Sequence, residues 1–142
     1  DTGIDVCPVN RRHFRTKSFK RLKLESMLVA GMKLYDGGQT AVVSLTLDML
    51  AQVGAKEEDI DDISAFVGQV EGVRTGVTLR ELRPGVCKIS LRTDPDDLSA
   101  SAVCACFGGG GHAAAAGATV EDTVENTHRR VLEAIRRVRQ GQ

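Results

Sequence analysis

The sequence has 142 residues, of which 42% are hydrophobic, and its 19 Lys and Arg balance its 19 Asp and Glu. This length and composition are typical of one globular domain and argue against wholesale disorder. No apolar run approaches the roughly 18 residues of a membrane-spanning helix, and no secretory signal is visible, so we expect a cytoplasmic protein without a membrane partner. Four Phe and one Tyr leave little material for an aromatic stacking platform.

The zero net charge hides three segments of different character. Residues 1–35 carry eight basic and three acidic side chains, residues 36–72 carry one and eight, and residues 73–142 carry ten and eight. Seven of the basic side chains lie within residues 11–23. That cluster is either a solvated helical face or a contact surface for a phosphate backbone, and the sequence leaves both open.

Residues 1–32 predict a helical segment. Asp5 and Pro8 are typical of a short first helix, and Ser18 is typical of the N-cap of a second helix that ends near Gly31.

The following segment predicts a hairpin and two helices. The hairpin covers residues 33–44, with its turn at residues 36–38, and Thr46 caps a short helix that stops at Gly54. Residues 56–67 predict an acidic helix. Four of its apolar side chains are expected to face the core: Ile60, Ile63, Phe66 and Val67.

Two strands come next, residues 73–82 and residues 86–91, joined by a turn at residues 83–85. Because side chains alternate along a strand, Ser90 and Arg92 are predicted to share the face opposite the buried one.

Two helices complete the predicted elements. Asp94 followed by Pro95 is typical of a helix start and predicts a helix that ends at Phe107, and residues 121–139 predict a last helix with its arginines mostly outward. Alternating strands and helices indicate an α/β domain, in which a small mixed β-sheet is flanked by helices.

The glycine run at residues 108–111, followed by His112 and four alanines, is the most informative part of the sequence. Such a run can turn successive backbone N–H groups towards an anion, and a helix beginning at His112 would add its positive dipole end. The alternative is a flexible hinge followed by an alanine-rich packing face. The residues show no metal-ligand cluster and no nucleophile with an evident base. They therefore predict an anion-binding site without a catalytic group.

Residues 108–117, G-G-G-G-H-x-x-A-A-G, resemble the signature of the DHH-associated domain found at the C-terminus of DHH-family phosphoesterases. Residues 88–93 resemble the second motif of that family, K-x-S-x-R-S, with Thr93 in place of Ser. Residues 4–18 resemble the segment that leads out of the catalytic domain. The resemblance thus covers nearly the whole chain, and it implies a helical linker from a missing catalytic domain over residues 1–32 and the DHH-associated domain over residues 33–142.

This resemblance implies a substrate-binding half of a metal-dependent phosphoesterase. The D-H-H motif is absent, so we expect this chain alone to be inactive and Mn²⁺ to belong to the absent catalytic domain. Arg92 would pair with a phosphate through its planar fork and Ser90 would add a hydroxyl. His112 would contact phosphate or nucleotide. The expected amide donors are those of Gly108, Gly109, Gly110 and Gly111.

The expected partners are the DHH catalytic domain of the full-length protein and short RNA or nucleotide phosphates, namely short oligoribonucleotides or 3′-phosphoadenosine 5′-phosphate. Three alternatives stay open: the substrate domain of a cyclic-dinucleotide phosphodiesterase, a free-standing RNA-binding module and a structural dimerisation domain. A homodimer is also left open.

Overall fold

The computed structural model describes residues 18–56, 60 and 63–141. Within these residues, six strands form one mixed sheet in the order β1-β2-β3-β4-β6-β5, with β2 and β3 parallel and the other neighbours antiparallel. The predicted fold class, an α/β domain with a small mixed sheet, is confirmed, and a helix precedes the sheet. The elements in chain order are α1 Phe19–Ala30, β1 Lys33–Tyr35, β2 Thr40–Leu45, α2 Leu47–Val53, α3 Ile63–Val67, β3 Thr75–Arg83, β4 Val86–Thr93, α4 Ala100–Ala105, β5 Gly110–Gly111, β6 Ala115–Val120 and α5 Val124–Arg139.

Local capping determines the start of several helices, as the sequence predicts. The Ser18 hydroxyl accepts a hydrogen bond from the Arg21 amide at 3.0 Å at the start of α1. Thr46 does the same for the Met49 amide at 3.2 Å, and α2 ends at Gly54 in the left-handed conformation. The predicted hairpin is present as β1 and β2. The helix expected near Asp5 lies outside the described residues, and the division at residue 32 stays a prediction.

The acidic helix predicted over residues 56–67 lies partly outside the described residues. Helix α3 covers only Ile63–Val67, and Lys56 and Ile60 lie outside it; residues 57–59, 61 and 62 are not among those described. The expected inward side chains are nevertheless found in a core cluster, with Ile60, Ile63 and Val67 buried and Phe66 partly buried. The apolar spacing thus indicated the buried positions, and the extent of the helix before Ile63 stays a prediction.

The prediction that a helix begins at Asp94 is wrong, because α4 begins five residues after Pro95. The Asp94 carbonyl accepts hydrogen bonds from the amides of Asp97 and Leu98, which make one isolated turn. Ser99 then provides the actual N-cap, since its hydroxyl accepts from the Ala102 amide at 3.3 Å. The Ala100 amide donates instead to the Ala113 carbonyl at 2.7 Å, which ties the start of α4 to the segment after the glycine run.

No helix begins at His112, so the helix dipole considered for this site is absent, because the glycine run forms a hairpin with the alanines. Strand β5 pairs with β6, and the turn between them is closed by the His112 amide, which donates to the Ala115 carbonyl at 2.7 Å. A side chain at Gly109 would clash with the Gly117 carbonyl. At Gly111, where φ is +149°, a Cβ would lie 2.6 Å from the Ala116 Cα. These two glycines therefore allow a close approach of backbones.

Helices cover the two faces of the sheet unequally. One face packs against α4 and α5 in a cluster that includes Leu79, Ile89, Leu91, Val103, Val131 and Ile135. On the other face, a second cluster joins α1 and α3 to β2. On that second face the β4 residue Lys88 is exposed and Ser90 and Arg92 are partly exposed. The second face is therefore accessible to solvent along β4.

The end of α5 is joined to three distant segments. Arg139 donates to the carboxylates of Asp36 at 3.1 Å and Asp97 at 3.0 Å, and to the Thr75 hydroxyl at 3.4 Å. These contacts hold the end of α5 against the face of the sheet that the helix covers. Among the helices described, none has both the length and the apolar character needed to cross a membrane.

Candidate functional site

Arg92 lies near the end of β4, between two small residues on the neighbouring strands. Its partner on β3 is Gly76 and its partner on β6 is Ala115. A cleft of about 390 Å³ is found here, lined in part by Gly76, Arg92 and Ala114. Because the flanking residues are small, a ligand in this cleft can approach the side chain of Arg92.

Helix α3 orients this arginine. Arg92 Nη2 donates to the Ser64 hydroxyl at 3.2 Å. The helix lies close enough because Gly76 has no side chain: a Cβ there would lie 3.0 Å from Val67 Cγ1, one turn along α3 from Ser64. A guanidinium has five N–H donors, so the bond to Ser64 leaves it able to bind an anion.

Two hydroxyl groups lie next to Arg92 on the same face of the sheet, that of Ser90 on β4 and that of Thr78 on β3. Ser90 is paired with Thr78 on β3 and with Gly117 on β6. The Thr78 hydroxyl is buried and has no hydrogen-bond partner among the residues described. As predicted, Ser90 and Arg92 face away from the buried Ile89, and two residues of strand separate them by about 6.7 Å.

The glycine run approaches this face from β6. Gly110 is paired with Gly117, which in turn is paired with Ser90, so the three lie in one row across the sheet. The Gly108 amide donates to the Ala105 carbonyl and the Gly109 amide donates to the Cys104 carbonyl, where they end α4. These two amides are therefore engaged within the chain. The amides of Gly110 and Gly111 lie in the edge strand β5.

His112 is exposed in the turn between β5 and β6. This turn is held at the end of β4, because the Thr93 hydroxyl donates to the Ala113 carbonyl at 3.0 Å and the Thr93 amide donates to the Ala114 carbonyl at 2.9 Å. The structure thus brings Arg92 and the turn after His112 to the same end of the sheet. Contact of either with a ligand stays a prediction.

Three residues at or beside the cleft were not predicted from the sequence as site residues. They are Ser64, Arg74 and Asp94. Arg74 Nη2 lies 2.8 Å from Asp94 Oδ2, and this hydrogen bond is the main reason why the pKa of the Asp94 carboxyl is lowered from its usual value. From the sequence, Asp94 has only the features of a helix cap. Arg74 lies two residues before Gly76 and therefore on the same face of the sheet. This relation identifies Arg74 as a neighbour of Arg92 only when the pairing of β3 with β4 is known.

The described residues offer no evident catalytic group. They contain no cluster of three or more His, Cys, Asp or Glu that could hold a metal ion. Burial raises the pKa of the Cys104 thiol to about 11, which disfavours the thiolate that a nucleophile needs. His128 accepts or donates a hydrogen bond with the Tyr35 hydroxyl at 2.9 Å, and burial lowers its pKa, so this pair is occupied in packing β1 against α5.

Residues 38–140 match the protein family described as the DHHA1 domain. Over 128 residues the chain is 36% identical to the bifunctional oligoribonuclease and PAP phosphatase NrnA of Thermus thermophilus. The match covers 89% of this chain and 37% of that relative, so the chain spans little more than a third of the relative's length.

Two solved structures are similar in fold. An exopolyphosphatase-related protein from Bacteroides fragilis superposes with a TM-score of 0.81 at 27% identity, over 97% of this chain and 40% of that one. The pGpG-specific phosphodiesterase PggH from Vibrio cholerae gives a TM-score of 0.55 at 12% identity, over 84% of this chain and 38% of that one. The second similarity is one of fold alone.

Proposed function

The chain belongs to the DHHA1 domain family of DHH phosphoesterases, and from this premise we propose that it holds the phosphates of a short oligoribonucleotide or of 3′-phosphoadenosine 5′-phosphate. The NrnA relative, named an oligoribonuclease and PAP phosphatase, supports this ligand class. The hydrolysis itself is proposed for the whole parent protein, with its DHH catalytic domain. A cytoplasmic location and a homodimer stay predictions.

One observation carries the proposal: Arg92 is oriented by Ser64 in a cleft whose strand neighbours are small. The planar guanidinium fork matches the geometry of a phosphate, and a bond to a fixed hydroxyl lowers the entropy lost when a ligand binds. A lysine would supply the charge without the fork. An arginine in this position is therefore suited to hold a phosphate in a defined orientation.

The rest of the face suits a ligand with a few phosphates in a row. Lys88, Ser90 and Arg92 follow one another on the same side of β4 at intervals of about 6.7 Å. This interval is comparable to the distance between neighbouring phosphates in an extended nucleic acid strand. We propose that the ligand runs along β4, with Ser90 donating its hydroxyl and Gly110, Gly111 and His112 closing the side formed by β5.

The residues described do not fit a manganese site, because they contain no cluster of metal ligands. We therefore propose that this chain binds without hydrolysing, and that Mn²⁺ belongs to the catalytic domain. Incubation of the chain with Mn²⁺ and a 5′-phosphorylated diribonucleotide should give no product. Hydrolysis that a chelator abolishes would contradict this part of the proposal.

Ligand size provides the first test. We expect isothermal titration to show tighter binding of the 5′-phosphorylated diribonucleotide pApA and of 3′-phosphoadenosine 5′-phosphate than of a long structured RNA at equal nucleotide concentration. A preference for the long RNA, with a steep loss of affinity as salt is raised, would instead favour the RNA-binding module. A chain that binds neither would contradict the proposed function.

Replacing Ser64 tests the orientation of Arg92. Ser64→Ala removes the hydrogen bond and leaves the charge, so we expect the affinity for pApA to fall about fivefold with little change in melting temperature. Ser101→Ala is the matched control. It also removes one hydrogen bond of a serine hydroxyl, the bond to the Ser99 hydroxyl at 3.0 Å, at the start of α4. Equal losses for the two variants would mean that Ser64 does not position Arg92.

A further inference from the structure

We propose that Arg74 is a second phosphate-binding residue of the cleft, and that Arg74 and Arg92 together select a ligand with two neighbouring phosphate groups over a ligand with one. This inference rests on the function proposed above and adds a residue to its site.

Sheet register places the two arginines side by side. Arg92 is paired with Gly76, and Arg74 precedes Gly76 by two residues, which makes it a diagonal neighbour of Arg92 across β3 and β4. Diagonal neighbours lie about 7 to 8 Å apart, within reach of long side chains. The Asp94 amide donates to the Arg74 carbonyl at 3.0 Å, so the pairing continues beyond the end of the strands.

The two arginines line the same cleft, together with the carboxylate of Asp94. Both arginines line the cleft of about 390 Å³, and Gly68 and Gly76 line it with backbone alone. The cleft is thus bordered by two arginines and by two glycines, which take up little space. Such an arrangement fits two anionic groups separated by a few bonds, as in a terminal phosphate and the adjacent phosphodiester.

The ion pair between Arg74 and Asp94 is exposed to solvent. Arg74 pairs with Asp94 at 2.8 Å, and the two side chains are 44% and 40% exposed. Exposed ion pairs contribute little to stability, because water screens them and ordering two side chains costs entropy. A phosphate can therefore compete with the Asp94 carboxylate for Arg74, against the negative charge of Asp94 and of the nearby Asp96 and Asp97. Arg139 differs, since it bonds two carboxylates and a hydroxyl that belong to three separate segments.

The test compares a ligand that has a terminal phosphate with one that lacks it. We expect isothermal titration of the 142-residue chain to give about tenfold tighter binding of pApA than of ApA. Arg74→Ala should lower the affinity for pApA about tenfold and that for ApA less than twofold, so that the preference disappears. A preference that survives Arg74→Ala would overturn the inference.

A second variant changes the competing charge and keeps the arginine. Asp94→Asn retains the side-chain oxygen that accepts from the Asp96 amide at 3.1 Å, but it removes the carboxylate that competes with phosphate for Arg74. We expect the affinity for pApA to rise about threefold. A fall in affinity, with the melting temperature unchanged, would contradict the proposed competition.

Arg137→Ala is the control, because it removes an exposed arginine that pairs with Glu133 on α5. It should leave both affinities unchanged. If Arg92→Ala weakens both ligands while Arg74→Ala weakens neither, the proposed function stands and the role of Arg74 is wrong. If the wild-type chain binds neither dinucleotide, both are wrong.

Discussion

Arg92→Ala is expected to lower the affinity for pApA by about 30-fold. The substitution removes the charge and the planar fork from the cleft, and charge-assisted hydrogen bonds to phosphate contribute about 1.5 to 3 kcal/mol. The fold should be preserved, because Arg92 is only partly buried and its one side-chain hydrogen bond among the described residues is to Ser64. Isothermal titration calorimetry measures the affinity, and a thermal melt measures the stability of the fold.

The choice of control decides what this experiment means. Arg139 is unsuitable, because its contacts with Asp36, Asp97 and Thr75 make it part of the packing of α5. Arg137 is exposed and pairs only with Glu133 among the residues described, so Arg137→Ala removes a charge without disturbing the sheet. Equal losses for Arg92→Ala and Arg137→Ala would mean that binding depends on diffuse charge and not on a site. Arg92→Lys should fall between the wild type and Arg92→Ala.

Gly109→Ala is expected to destabilise the fold by about 1 to 3 kcal/mol. A Cβ at this position would meet the backbone of β6 at Gly117 and Ala118, and backbone cannot move aside as a flexible side chain can. The hairpin of β5 and β6 must then separate, which also disturbs the end of α4 through the bond from the Gly109 amide to Cys104. Denaturant unfolding monitored by circular dichroism measures the loss.

The neighbouring glycine provides the matched control. A Cβ at Gly110 would have no heavy atom within 4 Å, and Gly110 is not among the glycines with positive φ. Gly110→Ala should therefore change the free energy of unfolding by less than about 0.5 kcal/mol. If both variants are equally unstable, the run is needed for chain flexibility, and the close approach of β5 to β6 is not the reason for Gly109.

What could be predicted from the sequence was local. The caps at Ser18 and Thr46 and the turn at residues 36–38 depend on residues a few positions apart, and the structure contains all three. Alternation along β4 correctly placed Ser90 and Arg92 on one face, because the period of two follows from strand geometry alone.

The predictions failed where contacts with distant segments outweigh the local preference for a helix or a cap. Alanines favour helices, yet residues 115–120 form a strand because Ala116 and Ala118 pack on the core and β4 provides a pairing partner. Asp94 has the residue type of a helix cap, but Ser99 caps α4 instead. Ser64 and Arg74 were missed for the same reason, since they reach the cleft from positions 28 and 20 residues away from their partners.

The contacts of Arg139 have a consequence for synthesis of the protein. Residues 36, 75 and 97 are all made well before residue 139, because a ribosome adds residues from the N-terminus onward. While α5 is still inside the exit tunnel, only α4 can cover the face of the sheet that includes Leu79, Ile89 and Leu91. This apolar surface therefore lacks the cover of α5 until that helix has emerged, and we expect a chaperone to bind the nascent chain during that interval.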